Sequence, residues 1–343
     1  MATQKALAIV EIGKPLQLID IPIPAPQGNE LLIKLTVGGM IPLDQKLRDG
    51  EVPQLVTKFP FVPGTDIVGL VVKSGPNSPS FPVGSRIVSQ FNRLGEGCLQ
   101  EYTLVDPRYT ALVPDSVSDE DAAVYPVNAF TSFVTLFAAE AGLGLPLPGT
   151  KDFDWEKQTL VIIGGGTNCG KFGIQLAKLA GIGTIITTAS LAGEEELRGY
   201  GATHVIDRKL SDEEVEKQVR AIVGDELLHV YDTFHGDDHS LAVSLLSNTK
   251  KGRYIHLIPG KPSDAVAARK QAGWEEKQMF GHSNAFPDVL GPLFWKLLPG
   301  WLVSGEVKPP QHAIIEGLDA ERVNRALDGY RDLATGKRYH VRF

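Results

Sequence analysis

TLVIIGGGTNCGKFGIQLAKLAG, from Thr159 to Gly181, changes character twice. Leu160-Val161-Ile162-Ile163 is a short apolar run, the form a parallel strand takes when both its faces are covered. Gly164, Gly165 and Gly166 follow at once, then Gly170 and Gly173. Beyond the turn, Phe172, Leu176 and Leu179 recur at helical spacing, with Ile174 and Ala177 beside them. Strand, glycine turn and helix predict a dinucleotide-binding βα unit. Glycines permit positive φ in a tight turn and let backbone approach a pyrophosphate. The helix then offers that anion its first N–H groups and positive dipole end. The pattern is GGGTNCG rather than GxGxxG, with Thr167-Asn168-Cys169 between the glycines. Any strand-to-helix turn can be rich in glycine; the strand before and the amphipathic helix after favour a cofactor turn over a purely structural one.

Outward from this stretch the chain alternates strands and helices. Thr184 to Thr188 is a second strand, Val205-Ile206 a short third, Leu228 to Tyr231 a fourth and Arg253 to Ile258 a fifth. That alternation predicts a doubly wound parallel sheet. Upstream, Ala6 to Val10, Leu31 to Leu35, Ile67 to Lys73, Arg86 to Val88 and Glu101 to Val105 read as short strands between Gly/Pro turns. They predict an antiparallel, barrel-like domain. The Pro22 to Pro26 run cannot be a central strand. Ser118 caps a helix with acidic residues in its first turn, and a second helix is expected from Asn128 to about Ala141. Gly142 to Gly149 is too rich in Gly and Pro for a regular element. Phe286 to Val303 reads as helical. A last helix is expected from Leu318-Asp319 to Thr335, ended by Gly336, with Arg338 to Phe343 as a final strand.

Composition sets limits. The chain has 343 residues, 43% hydrophobic and 22% charged, as in ordinary globular proteins. Net charge is −7, which gives no electrostatic footprint for nucleic acid or an anionic membrane. No apolar run is long enough to span a bilayer, and no signal-peptide pattern opens the sequence. Cys98 and Cys169 are too few for a disulfide framework, so a reducing, cytoplasmic setting is the expectation. The eight histidines show no ligand spacing.

The end of the second strand bears on cofactor type. NAD-binding units place an acid there to hold the ribose 2′-OH. Here Ala189-Ser190-Leu191 stands in that place, and the first carboxylate is Glu194. Without an acid to repel a 2′-phosphate, NADPH is favoured over NADH. Ser190 can donate to a phosphate and Arg208 can supply charge; the plainer reading is a turn residue and a solvated cation.

Several segments, in order, resemble the medium-chain dehydrogenase/reductase superfamily. Val37 to Gly50 (VGGMIPLDQKLRDG) is similar to its quinone-reductase N-terminal segment, and FVPGTDIVGLVV, FPVGSRIV and AAVYPVNAFTS follow in order. GLPLP, Gly144 to Pro148, and the GGGT turn resemble the fungal trans-acting enoyl reductases. The resemblance implies a GroES-like antiparallel β-barrel domain and a doubly wound Rossmann cofactor domain. It places the barrel at residues 1–127 and 286–343 and the cofactor domain at 128–285. It implies an active site in the cleft between them, at the carboxyl ends of the parallel strands.

Where zinc-holding members have their first Cys and their His, this chain has Ile41 and Thr65, the latter followed by Asp66. The four-cysteine zinc lobe is missing too, so no metal is expected. Oxidising an alcohol needs a group to stabilise an alkoxide, usually zinc. Hydride delivery to a polarised C=C asks less, because hydrogen-bond donors can hold the developing oxyanion. By resemblance, Asp44 and Lys46 of the D-x-K segment lie near the nicotinamide, and Thr131-Ser132 opens a linking helix beside the cleft. Asp44 can equally anchor a turn against a backbone N–H. The cofactor set is then Gly164, Gly165, Gly166, Thr167, Asn168, Cys169, Ser190 and Arg208, with the backbone of Leu257 and Ile258 facing the nicotinamide. Family members often have Tyr at the Arg208 position, and the Lys usual after Ser190 is absent. No proton donor stands out.

Three functions remain open. One is an NADPH-dependent reductase of activated C=C bonds, acting on a small or carrier-bound unsaturated carbonyl compound, as monomer or homodimer. Another is a quinone reductase. The last is a cofactor-binding protein without redox turnover.

Overall fold

The computed structural model describes residues 2–78, 81–332 and 337–343. Its strands run β1 (Thr3–Ala8), β2 (Gln17–Pro22), β3 (Leu31–Gly39), β4 (Asp66–Ser74), β5 (Arg86–Gln90), β6 (Tyr102–Val105) and β7 (Thr110–Leu112). Then come β8 (Thr159–Ile163), β9 (Thr184–Ala189), β10 (His204–Asp207), β11 (His229–Asp232), β12 (Gly252–His256) and β13 (Trp274–Gln278), and last β14 (His312–Glu316) and β15 (Arg338–Arg342). Two compact units result. One takes Met1–Val127, His282–Gly305 and Pro309–Phe343; the other takes Asn128–Gly281 with Glu306–Lys308. The short return to the second unit is fixed by Gln175, which donates to the Lys308 carbonyl at 3.0 Å and accepts from its N–H at 2.6 Å.

The first unit holds a seven-stranded sheet ordered β14-β15-β3-β4-β5-β7, with β6 also paired to β3. All its pairings are antiparallel except β14 with β15. Strand β3 is the pivot, pairing with β4, β6 and β15 along its length. Register shifts at Leu32/Ile33 and Leu35/Val37 let it bend, as bulges do. Leu31, Ile33, Leu35, Ile67, Val71 and Ile87 form a buried cluster on this sheet. A second cluster joins Leu7, Ile9, Phe61 and Leu99 to Val323, Leu327 and Val341.

The second unit is a six-stranded parallel sheet ordered β10-β9-β8-β11-β12-β13. That is the doubly wound order, with its switch point between β8 and β11. Leu160 to Ile163 are no more than 1% exposed, as the apolar run predicts. The following helix, Asn168–Ala180, buries Phe172, Ile174, Leu176 and Ala177. Full burial of each larger side chain stabilises by about 1.5–3 kcal/mol. Gly181, at φ +94°, ends the helix in the left-handed region.

Several boundaries differ from the sequence reading. The helix expected from Asn128 runs Pro126–Phe137, so Thr131 and Ser132 lie inside it rather than at its start. Proline at the first helical position explains the earlier start: its missing N–H has no partner to lose there. The helix expected from Phe286 begins at Leu290 and reaches Ser304, after a 3₁₀ turn at Ser283–Ala285. The last helix is Ala320–Arg331, capped by Asp319, which accepts from Arg322 N–H at 3.0 Å. Its expected end at Thr335 and Gly336 lies outside the described residues. Strand β13, WEEKQ, has no strand signal in its own sequence. It is a charged edge strand, with Glu275 paired to Lys251 and Arg253, and carries no apolar alternation.

Candidate functional site

At the end of β8 the chain reverses through Gly164, at φ +80°, into the helix Asn168–Ala180. The approach is close. A Cβ on Gly165 would lie 2.0 Å from Thr187 Oγ1, and one on Gly170 would lie 2.4 Å from the Gly164 carbonyl oxygen. Gly166 is the opposite case, with nothing within 4 Å of where its Cβ would stand. Thr167 caps the helix, its Oγ1 accepting from Gly170 N–H at 2.9 Å. Asn168 Oδ1 is buried and has no partner among the described residues. An open flank, a helix N-terminus and an uncommitted acceptor suited to a sugar hydroxyl fit a dinucleotide. Cys169 sits in the first turn, its thiol 3.4 Å from Asn128 Oδ1 and its carbonyl accepting from Ser132 Oγ at 2.8 Å.

The neighbouring strand ends carry the other named residues. Strands β9 and β10 are parallel, with Ala189 opposite Asp207, and Arg208 N–H donates to the Ala189 carbonyl at 2.9 Å. Ser190 and Arg208 thus leave adjacent strands at the same edge, and both are exposed. Arg208 makes no ion pair among the described residues. Asp207 precedes it and accepts from Lys209 N–H at 3.1 Å. Leu257 N–H donates to the Asp232 carbonyl at 3.2 Å, and the Ile258 carbonyl lies 2.8 Å from His256 Nδ1. Thr131 is buried against Gly281, whose Cβ, if present, would stand 1.8 Å from Thr131 Oγ1.

Asp44 and Lys46 lie in the first unit, on the helix Pro42–Asp49. Asp44 is 1% exposed. Its carboxylate accepts from Ile41 N–H at 2.8 Å and Gly64 N–H at 2.7 Å, so it ties the helix start to a distant loop. Burial pushes its pKa up to about 7, against the pull of those two donors. Lys46 makes a partly exposed ion pair with Glu51 at 2.5 Å. Thr65, at the other position compared with zinc-holding proteins, donates its hydroxyl to Asp66 Oδ2 at 2.5 Å. Among the described residues no group of three or more His, Cys, Asp or Glu side chains is arranged to hold a metal. Also among them, no helix is long and apolar enough to cross a membrane.

Residues 27–115 match the alcohol dehydrogenase GroES-like domain. The dehydrogenase pigH of Monascus ruber is 35% identical over 93% of this chain and 94% of its own length. The chain belongs to the medium-chain dehydrogenase/reductase superfamily. Other superfamily relatives include a chloroplast envelope quinone oxidoreductase homolog of Arabidopsis thaliana, 29% identical over 77% of each chain. The trans-enoyl reductase tndF of Aspergillus flavipes is 33% identical over 62% of each. A quinone oxidoreductase structure from Pseudomonas syringae superposes with a TM-score of 0.81 at 20% identity, over 99% of this chain and 100% of that one. The fold is therefore that of the medium-chain superfamily, and the chain is an oxidoreductase.

Sequence reading missed two groups in this medium-chain oxidoreductase. One is the buried pair of Asp66 and Arg338, both 0% exposed and 272 residues apart. The other is Thr233, just past β11, which bonds the glycine turn. The Asp232-Thr233 pair at a strand end was a usable signal, since polar residues after a parallel strand face the switch point.

Proposed function

We propose that this oxidoreductase reduces the activated C=C bond of an enone or enoyl compound, small or carrier-bound, using NADPH and no zinc. The observation that carries the reading is the pairing of strand ends β9 and β10. It brings the exposed Ser190 to one edge with Arg208, whose guanidinium has no ion pair among the described residues, and no residue of β9 there offers a carboxylate to a ribose 2′-OH. The glycine turn with Thr167, Asn168 and Cys169 would hold the pyrophosphate, and the backbone at Leu257-Ile258 would meet the nicotinamide. The cofactor supplies hydride from its nicotinamide ring. The protein's part is to position the acceptor and to hold the charge that develops on the carbonyl oxygen. Ile41 has no ligand atom in its side chain, and the Thr65 hydroxyl is committed to Asp66, which supports a route without zinc. The trans-enoyl reductase relative supports the enoyl class. The quinone oxidoreductase relative favours a second reading, reduction of a quinone.

The reaction is tested with NADPH carrying deuterium at the transferred position. Label should appear on the β-carbon of the product, and the α-hydrogen should come from solvent. Label on the carbonyl carbon, or brisk oxidation of simple secondary alcohols with NADP⁺, would mean the wrong reaction has been assigned. Turnover of quinones alone across a mixed panel selects the second reading.

Cofactor choice gives a separate test. NADPH should bind tighter than NADH, and Arg208→Ala should narrow the gap by about 1.5 kcal/mol, the low end for a charge-assisted contact at an exposed site. Calorimetric titration of both cofactors measures this. Equal affinity of the native chain for the two would remove the basis for NADPH.

A further inference from the structure

We propose that Thr233 is a positioning residue that locks the glycine turn in the shape that receives a dinucleotide; this rests on the cofactor reading above. Thr233 follows β11 across the switch point and is 7% exposed. Its N–H donates to the Ile163 carbonyl at 3.0 Å. Its hydroxyl lies 2.8 Å from that same carbonyl oxygen, 2.9 Å from the Gly164 carbonyl oxygen and 2.8 Å from Thr167 Oγ1.

The direction of every bond in this chain follows from chemistry. Carbonyl oxygens only accept, so the single Thr233 hydroxyl hydrogen is shared between the Ile163 and Gly164 carbonyls. Thr167 Oγ1 already accepts from Gly170 N–H. With the Thr233 hydrogen engaged by the carbonyls, the Thr167 hydroxyl donates to Thr233 Oγ1. One hydroxyl thus joins the end of β8, the turn and the cap of the helix. The fit is steric as well: a Cβ on Gly164 would stand 2.7 Å from Thr233 Oγ1, so the hydroxyl fills the space that glycine leaves.

Strand β9 grips the other side. Gly164 N–H donates to Thr188 Oγ1 at 3.1 Å, Gly165 N–H to the Thr188 carbonyl at 3.0 Å, and Thr187 Oγ1 to the Ile162 carbonyl at 2.6 Å. The turn is held from both flanking strands by threonines. A turn fixed beforehand leaves less ordering to be done on binding, and affinity rises accordingly.

Thr233→Val keeps the shape and the backbone bond to Ile163 and removes the bonds of the hydroxyl. Three quantities decide the matter in the full chain: the NADPH dissociation constant, kcat at saturating NADPH, and hydrogen exchange of the Gly170 amide without cofactor. The dissociation constant should rise about tenfold. Exchange at Gly170 should quicken about tenfold, while kcat stays within about twofold. Thr233→Ser should restore all three. Thr233→Ala, which puts no group in the hydroxyl's place, carries the same expectation as valine should the valine variant fail to fold. Native affinity and native exchange in the valine or alanine variant overturn the proposal, as does a serine variant no better than alanine. If the native chain binds neither NADPH nor NADH, the cofactor reading itself has failed.

Discussion

Arg338→Met should destabilise the first unit by about 3–5 kcal/mol, the usual cost of breaking a buried ion pair from one side. The guanidinium is 0% exposed, bonds the Asp66 carboxylate and donates to the Val124 carbonyl at 2.8 Å. Asp66 also accepts from Thr65 Oγ1 and from Val127 N–H at 2.7 Å. Burial pushes the Asp66 carboxyl above its ordinary value; Arg338 and the other donors pull it back without cancelling the push. Removing Arg338 removes the strongest of those pulls.

The sign of the pH dependence follows. A carboxyl raised in the folded state holds a proton that the unfolded chain has lost. Its contribution is full below about pH 4 and is lost as pH rises through the folded value. Asp44, at about 7, acts in the same sense in the native chain. The variant should therefore lose more stability at pH 8 than at pH 5. Urea unfolding at the two pH values measures it. An equal loss at both, or a loss under about 1 kcal/mol, would show that the pair is not what compensates Asp66. Asp66→Asn added to Arg338→Met should recover part of the loss, because no buried charge then remains.

Gly170→Ala is the second substitution with a large expected effect. On propensity alone, alanine in a helix gains about 1 kcal/mol over glycine. Here the new Cβ would lie 2.4 Å from the Gly164 carbonyl oxygen and 2.7 Å from Gly165 Cα. Both are backbone atoms, so the helix or the turn must move. Overpacking of this kind costs about 1–3 kcal/mol and should outweigh the propensity gain. Displacing the turn should also weaken dinucleotide binding by more than about tenfold. Gly173→Ala is a useful contrast, since its Cβ would meet Ile162 Cδ1 at 3.2 Å and the Tyr231 ring at 3.3 Å, side chains that can yield. Thermal unfolding and cofactor titration of the two variants test this. A Gly170→Ala protein that is more stable and binds normally would refute the close-approach account.

What could be read from the sequence is local. The run Leu160 to Ile163, the glycines and the Phe172 and Leu176 spacing each lie within one turn of the element they specify, and all appear as expected in the fold. Caps at Ser118 and Asp319 are equally local. What escaped is set by pairing across the chain or by the absence of an apolar pattern. Nothing near Asp66 points to Arg338. The WEEKQ of β13 is a strand because β12 lies beside it, with Tyr254 opposite Glu276. The placement of Thr131 depends on where Pro126 starts its helix, two residues before the start expected at Asn128.

The return of the last strands to the first sheet sets an order of assembly. Strand β15 pairs with β3, and Arg338 at its start answers the charge of Asp66. During synthesis Asp66 emerges long before Arg338 does. The parallel-sheet unit, contiguous from Asn128 to Gly281 except for Glu306–Lys308, is complete while the first unit still lacks strands β14 and β15 and its buried cation. Domains usually fold in the order in which they are made. In this chain the unit that starts first in sequence is completed last, because Asp66 and the Arg338 that answers its charge lie 272 residues apart.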